Sequence, residues 1–164
     1  MLGQLIKPIN RSRRSFMKFR TLFAAAVIGA AGFAPAIAAD EPQVVRQEMM
    51  KKAGGATGAL AKMVKGENDF DADAALAALT TLSEVAGSFG EYFPEGSETG
   101  FETEAAPAIW SDSDGLDAKV AAFKTDAEAA VAAAPADLDG LKAVFGPLTK
   151  NCGSCHETYR LKKS

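Results

Sequence analysis

The sequence predicts an all-α protein, specifically an antiparallel four-helix bundle. Two observations carry that prediction. Four long stretches place apolar residues at helical spacing between Gly, Pro and Asp signals, and none alternates with the two-residue period of a strand. The last stretch also places both cysteines of the chain on its apolar seam, beside its single histidine.

The first helix is expected from about Pro42 to Lys65, with Val45, Met49, Ala53, Ala56, Leu60 and Met63 as its stripe. Gly54, Gly55 and Gly58 each weaken it by up to ~1 kcal/mol relative to alanine. Such glycines permit close helix packing or close approach of a flat ligand. Lys65-Gly66 closes the helix, and Asp69 or Asp71 can cap the next. The second runs from about Ala72 to Tyr92, with Leu76, Leu79, Leu82, Val85, Ala86, Phe89 and Phe93 along one side. Pro94 and Gly96 end it, and residues 94–111 read as a long connector rich in Glu, Ser, Thr and Gly. The third spans about Asp112 to Ala134, with Leu116, Val120, Phe123, Ala127, Val131 and Ala134 apolar and Pro135 as its stop.

In the fourth, Leu138, Leu141, Phe145, Leu148, Cys152, Cys155 and Tyr159 follow one another at alternating steps of three and four. That is a bundle seam. Gly146-Pro147 interrupts it, so a kink or a fresh helix start at Pro147 is expected. Helices of some twenty residues are about 30 Å long, and four of them with short turns make a bundle with room for a cofactor between facing helices.

Cys152-Gly153-Ser154-Cys155-His156 has the form of a covalent haem c attachment site. Two thiols can form thioethers to the porphyrin while the adjacent imidazole ligates iron. On a helix, positions three and four apart share a face, so all three side chains can point at one object. The rivals are weaker. A thioredoxin-type redox pair expects a strand–helix setting. Structural zinc wants four Cys or His ligands where three exist. A disulfide between helical residues three apart strains the Cβ approach. A haem on this seam would replace core side chains and be part of the fold.

The first 39 residues read as an export signal, leaving residues 40–164 as one haem domain of about 125 residues. Lys7, Arg11, Arg13, Arg14, Lys18 and Arg20 precede any acid, an apolar run follows from Leu22 to Ile37, and Ala36-Ile37-Ala38 offers a cleavage site. Gly29, Gly32 and Pro35 suit a cleaved segment better than a permanent span. Met17-Lys18-Phe19-Arg20 could itself begin a signal, which would make residues 1–16 an over-extended start. Arg13-Arg14 resembles a twin-arginine export motif, yet haem c is attached after export to an unfolded chain, which favours the general secretory route. Cleavage removes six of 18 basic residues and none of 21 acidic ones, so the net charge falls from −3 to −9. Nucleic acid and anionic membrane surfaces become poor partners. Export plus haem c implies the periplasm.

With His156 committed to one face of the iron, no second histidine exists for the other. That position must hold a methionine, a weaker ligand or nothing, and the mature chain offers Met49, Met50 and Met63.

At this point the chain resembles the class II c-type cytochromes, the cytochrome c′ family with its low-spin, six-coordinate branch. The resemblance rests on the C-terminal Cys-Gly-Ser-Cys-His followed by Glu157-Thr158-Tyr159-Arg160, and on Val45-Arg46-Gln47-Glu48-Met49-Met50-Lys51. Lys65-Gly66, Phe93-Pro94-Glu95-Gly96-Ser97 and Pro107-Ala108-Ile109-Trp110 complete the ordered set. The resemblance implies that Arg46 and Gln47 sit near the haem propionates and that Arg160 lies close to the proximal histidine. It places Glu102 and Thr103 along the haem edge and gives Trp110 a packing role. The family's distal residue lies four positions after the arginine, which selects Met50; Met49 points about 100° away and reads as core.

Two functions diverge there. If the Met50 sulfur binds iron, the protein is a monohaem electron carrier serving periplasmic redox proteins. If Met50 only packs over the iron, the protein binds nitric oxide or carbon monoxide behind a steric gate. Met50-Lys51, with Lys65-Gly66 fifteen residues on from Met50, is closer to the low-spin branch. Neither reading is an enzyme. Family members occur as monomers and as dimers packed through their first two helices, and either state is compatible with the alanine-rich surfaces here.

Overall fold

The computed structural model describes residues 41–162. The expected export signal therefore lies outside the described residues. Four long helices form the bundle: α1 (Pro42–Val64), α2 (Ala72–Ser88), α4 (Ser113–Ala133) and α5 (Leu138–Tyr159), with a single-turn α3 (Ala108–Ser111) ahead of α4. Each packs on the next, and α5 closes the ring against α1. No helix among the described residues is long and apolar enough to cross a membrane.

Local chemistry sets the boundaries. Pro42 opens α1 in the first turn, where its missing N–H costs nothing. Asp71, Asp112 and Asp137 cap α2, α4 and α5 by accepting from the backbone N–H of Ala74, Gly115 and Gly140. Gly66 takes a left-handed φ of 72° after α1. The second helix is shorter than its apolar pattern suggests: it stops at Ser88 and continues as a 3₁₀ turn over Phe89–Tyr92.

The fourth helix does not restart at Pro147; α5 is continuous through it. Leu141 and Leu148, on either side of the proline, are fully buried. At about 1.5–3 kcal/mol per buried leucine, the pair offsets the ~3 kcal/mol that an internal proline costs. The Thr149 hydroxyl also donates to the carbonyls of Phe145 and Gly146 in the turn that the proline disturbs.

Two core clusters result. The larger holds Met49, Ala53, Leu60 and Met63 of α1 against Leu79 and Leu82 of α2, Ala127 and Ala130 of α4, and Leu141 and Leu148 of α5. The smaller is Ile109, Leu116 and Tyr159, with Phe93, Trp110 and Cys155 packed on it. Leu76 departs from the expected stripe: it is 36% exposed, while Ala75 and Ala78 are buried. The connector folds back onto the bundle, where Ala105 pairs with Arg160 in an antiparallel bridge. Ala106 N–H donates to Tyr159 O and Leu161 N–H to Glu104 O, tying the end of α5 to the connector.

Candidate haem site

A cavity of about 820 Å³ opens where the two clusters part, between α1, α4, α5 and the connector. Each residue singled out from the sequence lines it: Cys152, Cys155, His156, Met50, Arg46, Gln47, Glu102, Thr103 and Arg160. Its apolar wall comes from Phe89, Phe93, Ile109, Leu116, Val120 and Phe123.

The α5 seam explains the position of the thiols. Leu148 and Tyr159 are buried on either side, whereas Cys152 and Cys155 between them are only half-buried and turn toward the cavity. Burial pushes both thiols up from their ordinary range, and Lys119 pulls Cys155 partly back. No disulfide joins them. Burial, and then the Arg160 charge, lower the His156 pKa against the opposing pull of Glu104. That direction favours the neutral imidazole, the form that ligates metal.

Tyr159 fixes the end of α5. Its phenol donates to Asp112 Oδ2 at 2.7 Å, while the other oxygen of the same carboxylate caps α4. The carboxylate disfavours a phenolate beside it, and the Tyr159 pKa is pushed up to about 12. A Cβ at Gly115 would collide with Asp112 Oδ2 and the Tyr159 hydroxyl, so a side chain there would displace this hydrogen bond.

On the facing helix, Met50 is half-buried and lines the cavity, whereas Met49 and Met63 are buried in the larger core cluster. Gly54 and Gly58 continue the Met50 face by one and two turns, and a Cβ on either would meet nothing within 4 Å. Helix packing therefore does not require them to be glycine. Gly55 is equally open but does not line the cavity, and nothing in the structure explains it.

Arg46 is 4% exposed. It donates from Nη1 to Tyr92 O and Ser97 Oγ, and from Nη2 to Ser97 O and Thr103 Oγ1. Its guanidinium lies 4.9 Å from the Phe93 ring centroid and 5.8 Å from that of Trp110. Gln47 donates to Phe101 O at 2.5 Å. Arg160 pairs with Glu104, donating from Nε at 2.7 Å. Trp110 packs edge-on against Phe93 and donates to Pro94 O.

Sequence reasoning missed Gln43, Lys119, Asn151 and Glu104, which also line the cavity. The signal for Gln43 was available: it precedes Arg46 by three and Gln47 by four, so the three share a helix face. Glu104 and Lys119 become neighbours of the motif only through tertiary folding.

The family model of cytochrome c′ matches residues 41–160. The chain belongs to the cytochrome c′ family. Cytochrome c-556 of Agrobacterium fabrum is 47% identical over 147 residues, covering 90% of this chain and 99% of that protein. Cytochrome c′ of Rhodopseudomonas palustris is 36% identical over 151 residues, covering 90% and 99%. A solved structure of a cytochrome c′ from Rhodopseudomonas palustris superposes with a TM-score of 0.73 at 34% identity, covering 77% of this chain and all of that one. The protein is thus a c-type cytochrome of electron transfer, and its cofactor is covalent haem c.

The cavity fits that group. Its volume lies within the ~300–1,000 Å³ typical of cofactor pockets, and its wall is largely apolar. Two thiols and an imidazole project from one helix, and a strip without side chains on α1 lets a flat ring lie against the backbone.

Proposed function

We propose that this cytochrome is a periplasmic electron carrier with six-coordinate iron. In this reading residues 1–39 are a cleaved export signal and residues 40–164 the haem domain. Cys152 and Cys155 carry the thioether bonds, His156 is one axial ligand and Met50 the other. Gln47, Glu102, Thr103 and Arg160 border the mouth of the site. Bound haem c supplies a one-electron iron couple, and thioether ligation raises its potential. With both axial positions filled by protein, the iron has no open position for a substrate, which is the physical case for a carrier and against an enzyme.

One observation carries the assignment of Met50: of the three methionines in the described residues, it alone lines the cavity that His156 faces. The mature net charge of −9 favours redox partners with a basic docking surface. The absorption spectrum of the ferrous holoprotein, recorded before and after addition of carbon monoxide, tests the reading. A low-spin spectrum indifferent to the gas is expected. A high-spin spectrum that shifts at once would replace it with the five-coordinate, gas-binding reading.

A further inference from the structure

Arg46 and its neighbours on α1 do something that the family resemblance does not assign to them. All four terminal N–H donors of Arg46 go to the segment from Tyr92 to Thr103. Gln43 and Gln47 lie on the same helix face and reach the same segment, at Thr99 O (2.8 Å) and Phe101 O (2.5 Å). What they hold cannot easily hold itself. Gly100, Phe101 and Glu102 all have positive φ, at 89°, 51° and 53°. The left-handed conformation costs an L-residue about 1–2 kcal/mol, and such strain persists only where the surroundings over-determine it. Glu102 and Thr103, which end this strained turn, form part of the cavity wall. Beyond them the bridge from Ala105 to Arg160 anchors the far end.

We propose that Arg46 is a positioning residue that latches the connector over the mouth of the haem cavity, acting on the cofactor through the segment it holds. The latch keeps water from the haem edge, and solvent access is one of the levers that set a haem potential. Ser97 separates the latch from the charge. Its hydroxyl accepts from Arg46 and donates to Pro94 O, and Ser97→Ala removes that link while leaving the guanidinium in place.

The experiment uses the holoprotein and two readouts, amide hydrogen exchange over residues 97–104 and the reduction potential from a redox titration. Arg46→Lys keeps the charge but loses the planar fork. It is expected to speed exchange in that segment at least tenfold and to lower the potential. Ser97→Ala should move both readouts the same way by less, and the double variant should fall short of the sum of the two. Unchanged exchange in Arg46→Lys would overturn the latch. Faster exchange with an unmoved potential would overturn its action on the cofactor. Additive effects would show that the arginine acts by a separate route. If Arg46→Lys fails to fold, Ser97→Ala decides alone. A potential can be measured for five- or six-coordinate iron, so the outcome does not depend on the role of Met50.

Discussion

With Met50 on the iron as proposed, Met50→Ala is expected to convert the protein from one indifferent to carbon monoxide into one that binds it. The sulfur ligand should be lost, the ferrous spectrum should become high-spin, and the reduction potential should fall because neutral sulfur no longer favours Fe(II). Stability falls too, by about 2 kcal/mol, the lower end of the cost of truncating a core methionine, since Met50 is only half-buried. Met49→Ala is the control. Met49 is 9% exposed within the larger core cluster. Its truncation costs about 2–5 kcal/mol yet should leave the spectrum and the gas response unchanged. Opposite signatures from adjacent methionines separate ligation from packing. Paired spectra and thermal melts of the two variants check this.

The second large effect is loss of the cofactor itself. A dry, rigid cavity costs ~24 cal/mol per Å³. At about 820 Å³ that rate exceeds the whole ~5–15 kcal/mol of a typical domain. Water entering through the mouth reduces the cost only by wetting Phe89, Phe93, Val120 and Phe123. Apoprotein produced without haem attachment is therefore expected to lose helical signal and to melt early and broadly. The half built on Ala75, Leu79, Leu82, Ala127 and Ala130 should persist longest, because these side chains pack on one another away from the cavity. Circular dichroism of the two forms measures this. A cooperative melt matching the holoprotein would mean that the cofactor is not part of the core.

Much of this was legible in the sequence because the relevant signals are local. The α5 seam, the aspartate caps and the spacing of Cys152, Cys155 and His156 depend on residues within a few turns of one another. The exposure of Leu76 was not legible, since steps of three from Leu76 to Leu79 to Leu82 drift around a helix of 3.6 residues per turn. The choice at Pro147 between a kink and a fresh start was not legible either, because buried leucines on both sides keep α5 continuous. The burial of Arg46 was least legible of all. Its partners lie 46 to 57 residues away, at the end of the 3₁₀ turn and in the connector that follows, and nothing in the composition of that connector announces that it folds back over α1. The family resemblance brought Arg46 to the correct cavity, while the hydrogen bonds show what its donors hold.

Ligation of iron by the Met50 sulfur can be read at once from X-ray absorption at the iron edge of the unmodified holoprotein. One sulfur is expected in the first coordination shell, lost in Met50→Ala and kept in Met49→Ala. A shell of nitrogen or oxygen alone, or a sulfur that survives Met50→Ala, would contradict it.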